Sequence, residues 1–334
     1  MVKGLCVVGA LLLSLMSVAA EAQYAPAGEI PVGGAARFDY LTVDSAAKRL
    51  YLTHATEVVV IDIAANKVIG TIAGTAGVHG VLIAPNGKGF ITAGQENKVA
   101  VFDPKTLQIT TKIDTGANPD AIVYEPKNKE VYALNHTGKS VTVINADSGT
   151  VTATIPLSGV AESGAADPGL GRVYVNIENT NSVDVIDVTT HKVVATWKVE
   201  PAEEPTGMAI DTARHRLFVG GGPNQVMVDG ATGKVLASAK ICDGTDATSF
   251  DSAASLSMSS CGDGHISIIK VGPGDTMTVT QTLTTKVGAR TMTIDPATHR
   301  IYVAAQDMQA APAGGGRAQA VPNTFRVLVY APAK

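Results

Sequence analysis

No Cys-x-x-Cys-His haem attachment, Walker-type phosphate loop, Gly-x-Ser-x-Gly elbow or His-Glu-x-x-His helix occurs in the sequence, so the chemistries those motifs carry have no anchor in it. Ser and Asp are spread through the turns, and spacing alone assembles no nucleophilic triad. Basic residues are scarce: 26 Lys and Arg face 30 Asp and Glu, for a formal net charge of −4, and no Lys/Arg-rich run occurs. A nucleic-acid partner is therefore not expected. Gly220-Gly-Gly-Pro223 is glycine-rich but reads as a turn between strands, not as a phosphate cradle. Aromatic residues reach only 4%, against 45% apolar residues, 34 Gly and 16 Pro. Abundant Val, Ile and Thr with many turn formers favour strands over helices.

Long hydrophobic runs are missing but for one. Leu5 to Ala20 is a 16-residue stretch without charge, short of the ~20 apolar residues that span a bilayer core. With Lys3 before it and Ala20-Glu-Ala22 ahead of Gln23, it reads as a secretory signal peptide over residues 1–22, cleaved after Ala22. The expected location is periplasmic or secreted, with no membrane span. Cys6 lies at the start of the run and not just after the cleavage point, which argues against a lipid anchor. Cleavage removes Lys3 and Glu21 together, so the net charge stays at −4. Of three cysteines, Cys242 and Cys261 then remain. In an oxidising compartment such an isolated pair predicts a disulfide, with two separate buried thiols as the alternative.

A repeat organises the rest. Arg172-Val-Tyr-Val-Asn-Ile177 and Ser182-Val-Asp-Val-Ile-Asp187 read as two alternating strands around a Glu-Asn-Thr-Asn turn. The phrase returns at Arg49-Leu-Tyr-Leu-Thr53, Glu130-Val-Tyr-Ala-Leu134 and Arg300-Ile-Tyr-Val-Ala304. The first strand of each unit ends at Asp44, Ala84, Glu125, Asp167, Asp211, Asp251 or Asp295, at intervals of 40, 41, 42, 44, 40 and 44 residues. Each unit carries four strands, with turns such as Pro85-Asn-Gly-Lys88 and Asp229-Gly-Ala-Thr-Gly-Lys234. Four antiparallel strands repeated seven times at this period predict an all-β, seven-bladed β-propeller over 23–334 as one domain. Unit seven has three strands of its own, and Gly28-Glu-Ile-Pro-Val-Gly33 matches the ending of an outer strand. The N-terminal strand is thus expected to complete the last blade and close the ring.

Two departures stand out. Unit six has the degenerate second strand Ala254 to Ser260, read as placing a small residue at the tyrosine position, and unit seven carries a Gly/Ala/Pro-rich insertion over 306–323 that reads as a flexible loop. The Val173-Tyr-Val-Asn176 phrase, with Ser182 to Asp187, Pro119-Asp-Ala-Ile122 and Pro205-Thr-Gly-Met-Ala-Ile210, resembles the YVTN repeat of YncE-like seven-bladed propellers over Tyr24 to Ala333. The resemblance implies the fold and leaves function open, because similar propellers serve as binding proteins, surface-layer modules, redox-enzyme subunits and lactonases.

In propellers, the blade-to-blade links and the links between second and third strands open on one face, the top. The residue five before each strand ending enters the inner strand there: Asp39, His79, Asp120, Glu162, Thr206, Asp246 and Arg290. These seven are the candidate ligand-binding residues, a polar, net-negative cup; Asp120, Glu162, Asp246 and His79 are the candidate metal ligands. A solvated rim is the alternative. His54 and His136 fall on the same face, where they could join His79 around a metal; His191, His215 and His299 fall in bottom turns and His265 opens a strand, all expected to be solvated or structural.

The expected function is an exported, monomeric, non-catalytic binding or scaffold protein that recognises a small solute, an envelope component or a protein through its top face. The alternative is a metal-assisted, lactonase-like hydrolase or isomerase using the acidic ring. No cofactor other than a divalent cation is expected.

Overall fold

Alternation along each strand decides where its side chains go. In Arg172–Ile177, Val173, Val175 and Ile177 pack with Val141, Val143 and Ile155 of the preceding unit, whereas Tyr174 packs with Leu217, Val219 and Val226 of the following one. A period of two buried on both faces demands a neighbour on each side, which radial stacking supplies. The outermost strands, such as Lys192–Lys198, bury one face and leave Lys192, Val194, Thr196 and Lys198 on the other.

The computed structural model describes Met1 and residues 23–34, 37–309 and 319–333. It contains seven four-stranded antiparallel sheets arranged as blades around an axis. Their inner strands are Phe38–Asp44, Val78–Ile83, Pro119–Glu125, Ala161–Asp167, Pro205–Asp211, Thr245–Asp251 and Met292–Asp295, numbered here as blades 1 to 7. The predicted signal peptide falls, apart from Met1, outside the described residues, as does 310–318 of the insertion. Among the described residues no helix is long and apolar enough to cross a membrane.

The ring closes through the N-terminal strand Tyr24–Pro31, which pairs antiparallel with Arg326–Pro332 of blade 7, in register from Tyr24 opposite Pro332 to Pro31 opposite Arg326. Tyr24 and Ile30 are buried, and the Gln281 side chain clasps Tyr24, accepting its N–H and donating to its carbonyl at 2.8 Å each. A register shift falls between Pro26 and Gly28, where Gly28 has a φ of +140° that a side chain would strain.

The Asp-type turns form as their sequence dictates. Asp229 Oδ1 accepts the N–H groups of Ala231 and Thr232 at 3.0 and 2.9 Å. On the bottom face, anchor carboxylates latch adjacent blades: His215 Nδ1 lies 2.7 Å from Asp167, His299 Nδ1 2.6 Å from Asp251, and Ser45 donates to Asp295 at 2.5 Å. His191 pairs with Glu130 at 2.8 Å. These histidines are structural.

Unit six does not place a small residue at the tyrosine position, although its sequence suggests one. Asp251 pairs with Leu256 as Asp44 pairs with Arg49, so the tyrosine position is Met258, fully buried, and not a small residue. The serines on either side disguise it. Cys242 and Cys261 lie at bonding distance, with sulfurs 1.98 Å apart and Cα atoms 5.8 Å apart. They join the link between blades 5 and 6 to the end of the second strand of blade 6, Leu256–Cys261.

Candidate functional site

A break in the strand ladder sets six of the seven candidate residues apart from the pleat of their strands. In six of the seven inner strands the ladder breaks at this point, with register shifts at Phe38/Leu41, Val78/Val81, Pro119/Ile122, Ala161/Gly164, Pro205/Gly207 and Thr245/Ala247. A bulge frees a residue from the pleat and re-aims its side chain. Asp39, His79, Asp120, Glu162, Thr206 and Asp246 each sit inside one of these breaks. Arg290 differs: it precedes the short strand Met292–Asp295, and its side chain is 57% exposed.

The polar residue that ends the repeated Val-Tyr-Val-Asn phrase fixes these breaks from behind. Thr53 Oγ1 accepts the Asp39 N–H at 3.0 Å and donates to the Tyr40 carbonyl at 3.1 Å. Thr92 donates to the Asp120 carbonyl of the next blade at 2.5 Å, Asn176 to the Gly207 carbonyl at 3.1 Å, and Ser260 to the Arg290 carbonyl. One repeat position thus builds the fold and holds the entry to the channel.

The side chains divide into two arcs. In blades 1 to 4, His79 Nδ1 lies 2.7 Å from Asp39 Oδ2 and 3.5 Å from Asp120 Oδ1. His136 Nδ1 lies 3.1 Å from Glu162, 3.9 Å from Asp120 and 2.9 Å from the Ala161 carbonyl. In blades 6 and 7, Arg290 Nε stands 3.4 Å from Asp246. Thr206 turns its hydroxyl into the wall, donating to the Thr245 carbonyl at 2.6 Å. His54 is not part of the group; it stacks on Phe325 at 4.8 Å and faces Glu57.

Three residues that the repeat count overlooked complete the cup. His136 is one. Glu178, in the 3-10 turn Glu178–Thr180, adds a fifth carboxyl, held above its usual range by burial and then by Glu162. Tyr40 is the third. One place beyond each ring residue stand Tyr40, Gly80, Ala121, Ser163, Gly207, Ala247 and Thr291, so a single large side chain meets six small ones. Tyr40 packs against the blade 3 and 4 core and lines the central cavity of about 210 Å³. Burial, followed by Asp120, Glu162, Asp39 and Asp246, pushes its phenol well above the usual range. The sequence signal was there: one bulky residue in a column of small ones.

Charge crowding is the cup's main property. Asp120 is 7% exposed, and its Oδ1 has no hydrogen-bond partner. Burial first, then Asp39 and Glu162, hold its carboxyl well above the usual carboxylate range. The Glu162 hydrogen bond lifts His136 to about 9 against the opposing effect of burial, so that imidazole is a cation at neutral pH.

Asp246 is pushed up to about 7, by burial first, with Arg290 opposing. A carboxyl with a raised folded pKa costs stability as pH climbs from its ordinary 3.8 toward about 7, and the full cost persists above that. Asp246→Asn is therefore expected to raise the melting temperature near pH 8, by about 1–3 kcal/mol of stability, and to change stability by about 0.5 kcal/mol or less near pH 4. Thermal denaturation at both pH values checks this; an equal shift at both would contradict it.

No protein-family model and no curated protein sequence matches the chain. A chain of a solved structure titled "Crystal Structure of Mitotic Checkpoint Complex" superposes with a TM-score of 0.78, covering 100% of this chain and 99% of that one at 11% identity. At that identity the likeness speaks for the seven-bladed fold alone.

Proposed function

We propose that this protein is an exported binding protein whose top-face cup takes a small, positively charged ligand. The observation that carries the reading is the convergence of Asp39, Asp120, Glu162, Glu178 and Asp246 at one channel mouth, opposed by the His136 cation and the exposed Arg290. Burial and mutual repulsion raise the carboxyls of Asp120, Asp246 and Glu178. A cation entering the cup relieves that repulsion, and the binding energy appears as stability. The disulfide-distance pair Cys242–Cys261 fits an oxidising compartment and supports the export part of the reading.

The test is thermal denaturation of chelator-treated protein with spermidine, arginine, and calcium, manganese or zinc chloride, beside Asp120→Asn/Glu162→Gln. At 100 times its dissociation constant, a bound cation adds about 2.7 kcal/mol. We expect at least one cation to raise the melting temperature of the parent and not of the variant. Equal shifts in both, or none in either, would refute the cup as a cation site.

Asp246 favours a second reading. A carboxyl near 7 is suited to carry a proton in general acid–base catalysis, as a lactonase-like hydrolase would need. Lactone turnover that Asp246→Asn abolishes would bring that reading forward; no turnover over a panel of γ- and δ-lactones would end it.

A further inference from the structure

We propose that Asp39, His79 and Asp120 hold one divalent transition-metal ion of the zinc class at the channel mouth. This rests on the binding reading and names the kind of cation. The three donor atoms lie within 4.8 Å of one another, with His79 Nδ1 2.7 Å from Asp39 Oδ2 and 3.5 Å from Asp120 Oδ1. Donors bound to one tetrahedral ion at about 2.0–2.2 Å each stand roughly 3–3.6 Å apart. The His79–Asp120 spacing already fits, the His79–Asp39 contact opens by about 0.3 Å or more, and the two carboxylate oxygens, within 4.8 Å of each other, come to within about 3.6 Å.

Asp120 supplies the independent indication. Its Oδ1 is buried and unpartnered, and it points to His79, although burial without a partner costs a carboxylate dearly. A metal ion on Oδ1 removes the cost. One imidazole with two carboxylates suits zinc, manganese, cobalt or nickel better than calcium or magnesium, which prefer all-oxygen shells. Three protein donors leave a tetrahedral ion one open position. On binding, His79 Nδ1 gives up its hydrogen, which moves to Nε2 in the neutral imidazole or to solvent from the imidazolium; both carboxyls enter as carboxylates, and the nitrogen lone pair goes to the metal.

A second group, Asp120, His136 and Glu162, also lies within 4.8 Å. It is not the site. His136 Nδ1 faces the Ala161 carbonyl at 2.9 Å, an acceptor that keeps a hydrogen on that nitrogen and is not itself one of the group's ligands, whereas the acceptors facing His79 Nδ1 are the two carboxylates that would share the ion. His136 remains the counter-charge. Cys242, Cys261 and Asp263 form a third group, but sulfurs bonded to each other are not thiolate ligands.

Thr53 on the Asp39 N–H and Thr92 on the Asp120 carbonyl set the donor backbones. Gly94 leaves room for the Asn118 side chain and the imidazole: a Cβ there would stand 2.3 Å from Asn118 Oδ1 and 2.8 Å from His79 Cδ2 and Nε2. Gly94 is thus a positioning residue, and its substitution should move the ring without removing a ligand.

The experiment is a titration of chelator-treated full-length protein with cobalt(II), read by visible d–d absorption, and with zinc by calorimetry. We expect one ion per chain. His79→Gln and Asp120→Asn should each weaken binding about 100-fold or more, Gly94→Ala about 10-fold, and His136→Gln less than about threefold. Circular dichroism of each variant confirms folding. No cobalt spectrum, two ions per chain, or equal losses in His136→Gln and His79→Gln would overturn the assignment. Stabilisation by spermidine or arginine without any by cobalt or zinc would overturn it and leave the cation-binding reading standing; no response to either class would end both.

Discussion

A chain lacking residues 23–33 should lose about 5 kcal/mol of stability and melt about 8 °C below the parent. The closing strand contributes the eight residues Tyr24–Pro31, the whole outer edge of blade 7. Deleting it exposes Tyr24's partner Gln281 and strips the cover from Val327 and Val329, now 0% and 3% exposed. Losing the burial of Ile30 and Tyr24 costs about 1.5–3 kcal/mol each, before the freed strand edge is counted. That edge also offers unpaired N–H and C=O groups to other chains. The deletion should therefore both melt early and associate, as differential scanning calorimetry with light scattering would show. A melting point within about 2 °C of the parent would mean that the ring does not depend on this closure.

The second large effect belongs to the cysteine pair. Cys242 and Cys261 are 19 residues apart in sequence, and closing a loop of that size is worth about 3 kcal/mol in the chain-entropy account. Cys242→Ser/Cys261→Ser, or reduction of the parent, is expected to lower the unfolding free energy by that amount. The opening should concentrate in blade 6, whose inner strand pairs with Leu256–Cys261, and amide exchange over Thr245–Cys261 should rise before that of the other blades. Unchanged denaturation under reductant would show that the bond contributes nothing or that the thiols are separate in solution.

The fold was legible because a propeller writes its architecture seven times. Tyr51, Tyr132, Tyr174 and Tyr302 fill equivalent buried positions between blades, so a single motif, counted, gives blade number, strand order and the place where the N-terminal strand must fit. The site was legible only as a register. Counting back from Asp44 or Asp295 finds where each chain enters the channel, but not which way each side chain turns. Thr206 faces the wall through its bond to Thr245, and Arg290 faces solvent. His136 and Glu178 come from the links between second and third strands, whose approach to Glu162 depends on the closed ring. Met258 was hidden for the opposite reason: pairing of Asp251 with Leu256 sets the register, and composition around Ser257 and Ser259 does not reveal it.

Amide hydrogen exchange of the chelated protein, with and without zinc, tests the role of the cup most directly. Binding at the channel mouth predicts slowed exchange at the inner-strand entries of blades 1 to 3, around Asp39, His79 and Asp120, with the bottom turns at Asp167 and Asp251 unchanged. Protection confined to the bottom turns or the outer strands would contradict the account, and no protection at any zinc concentration would overturn the metal assignment.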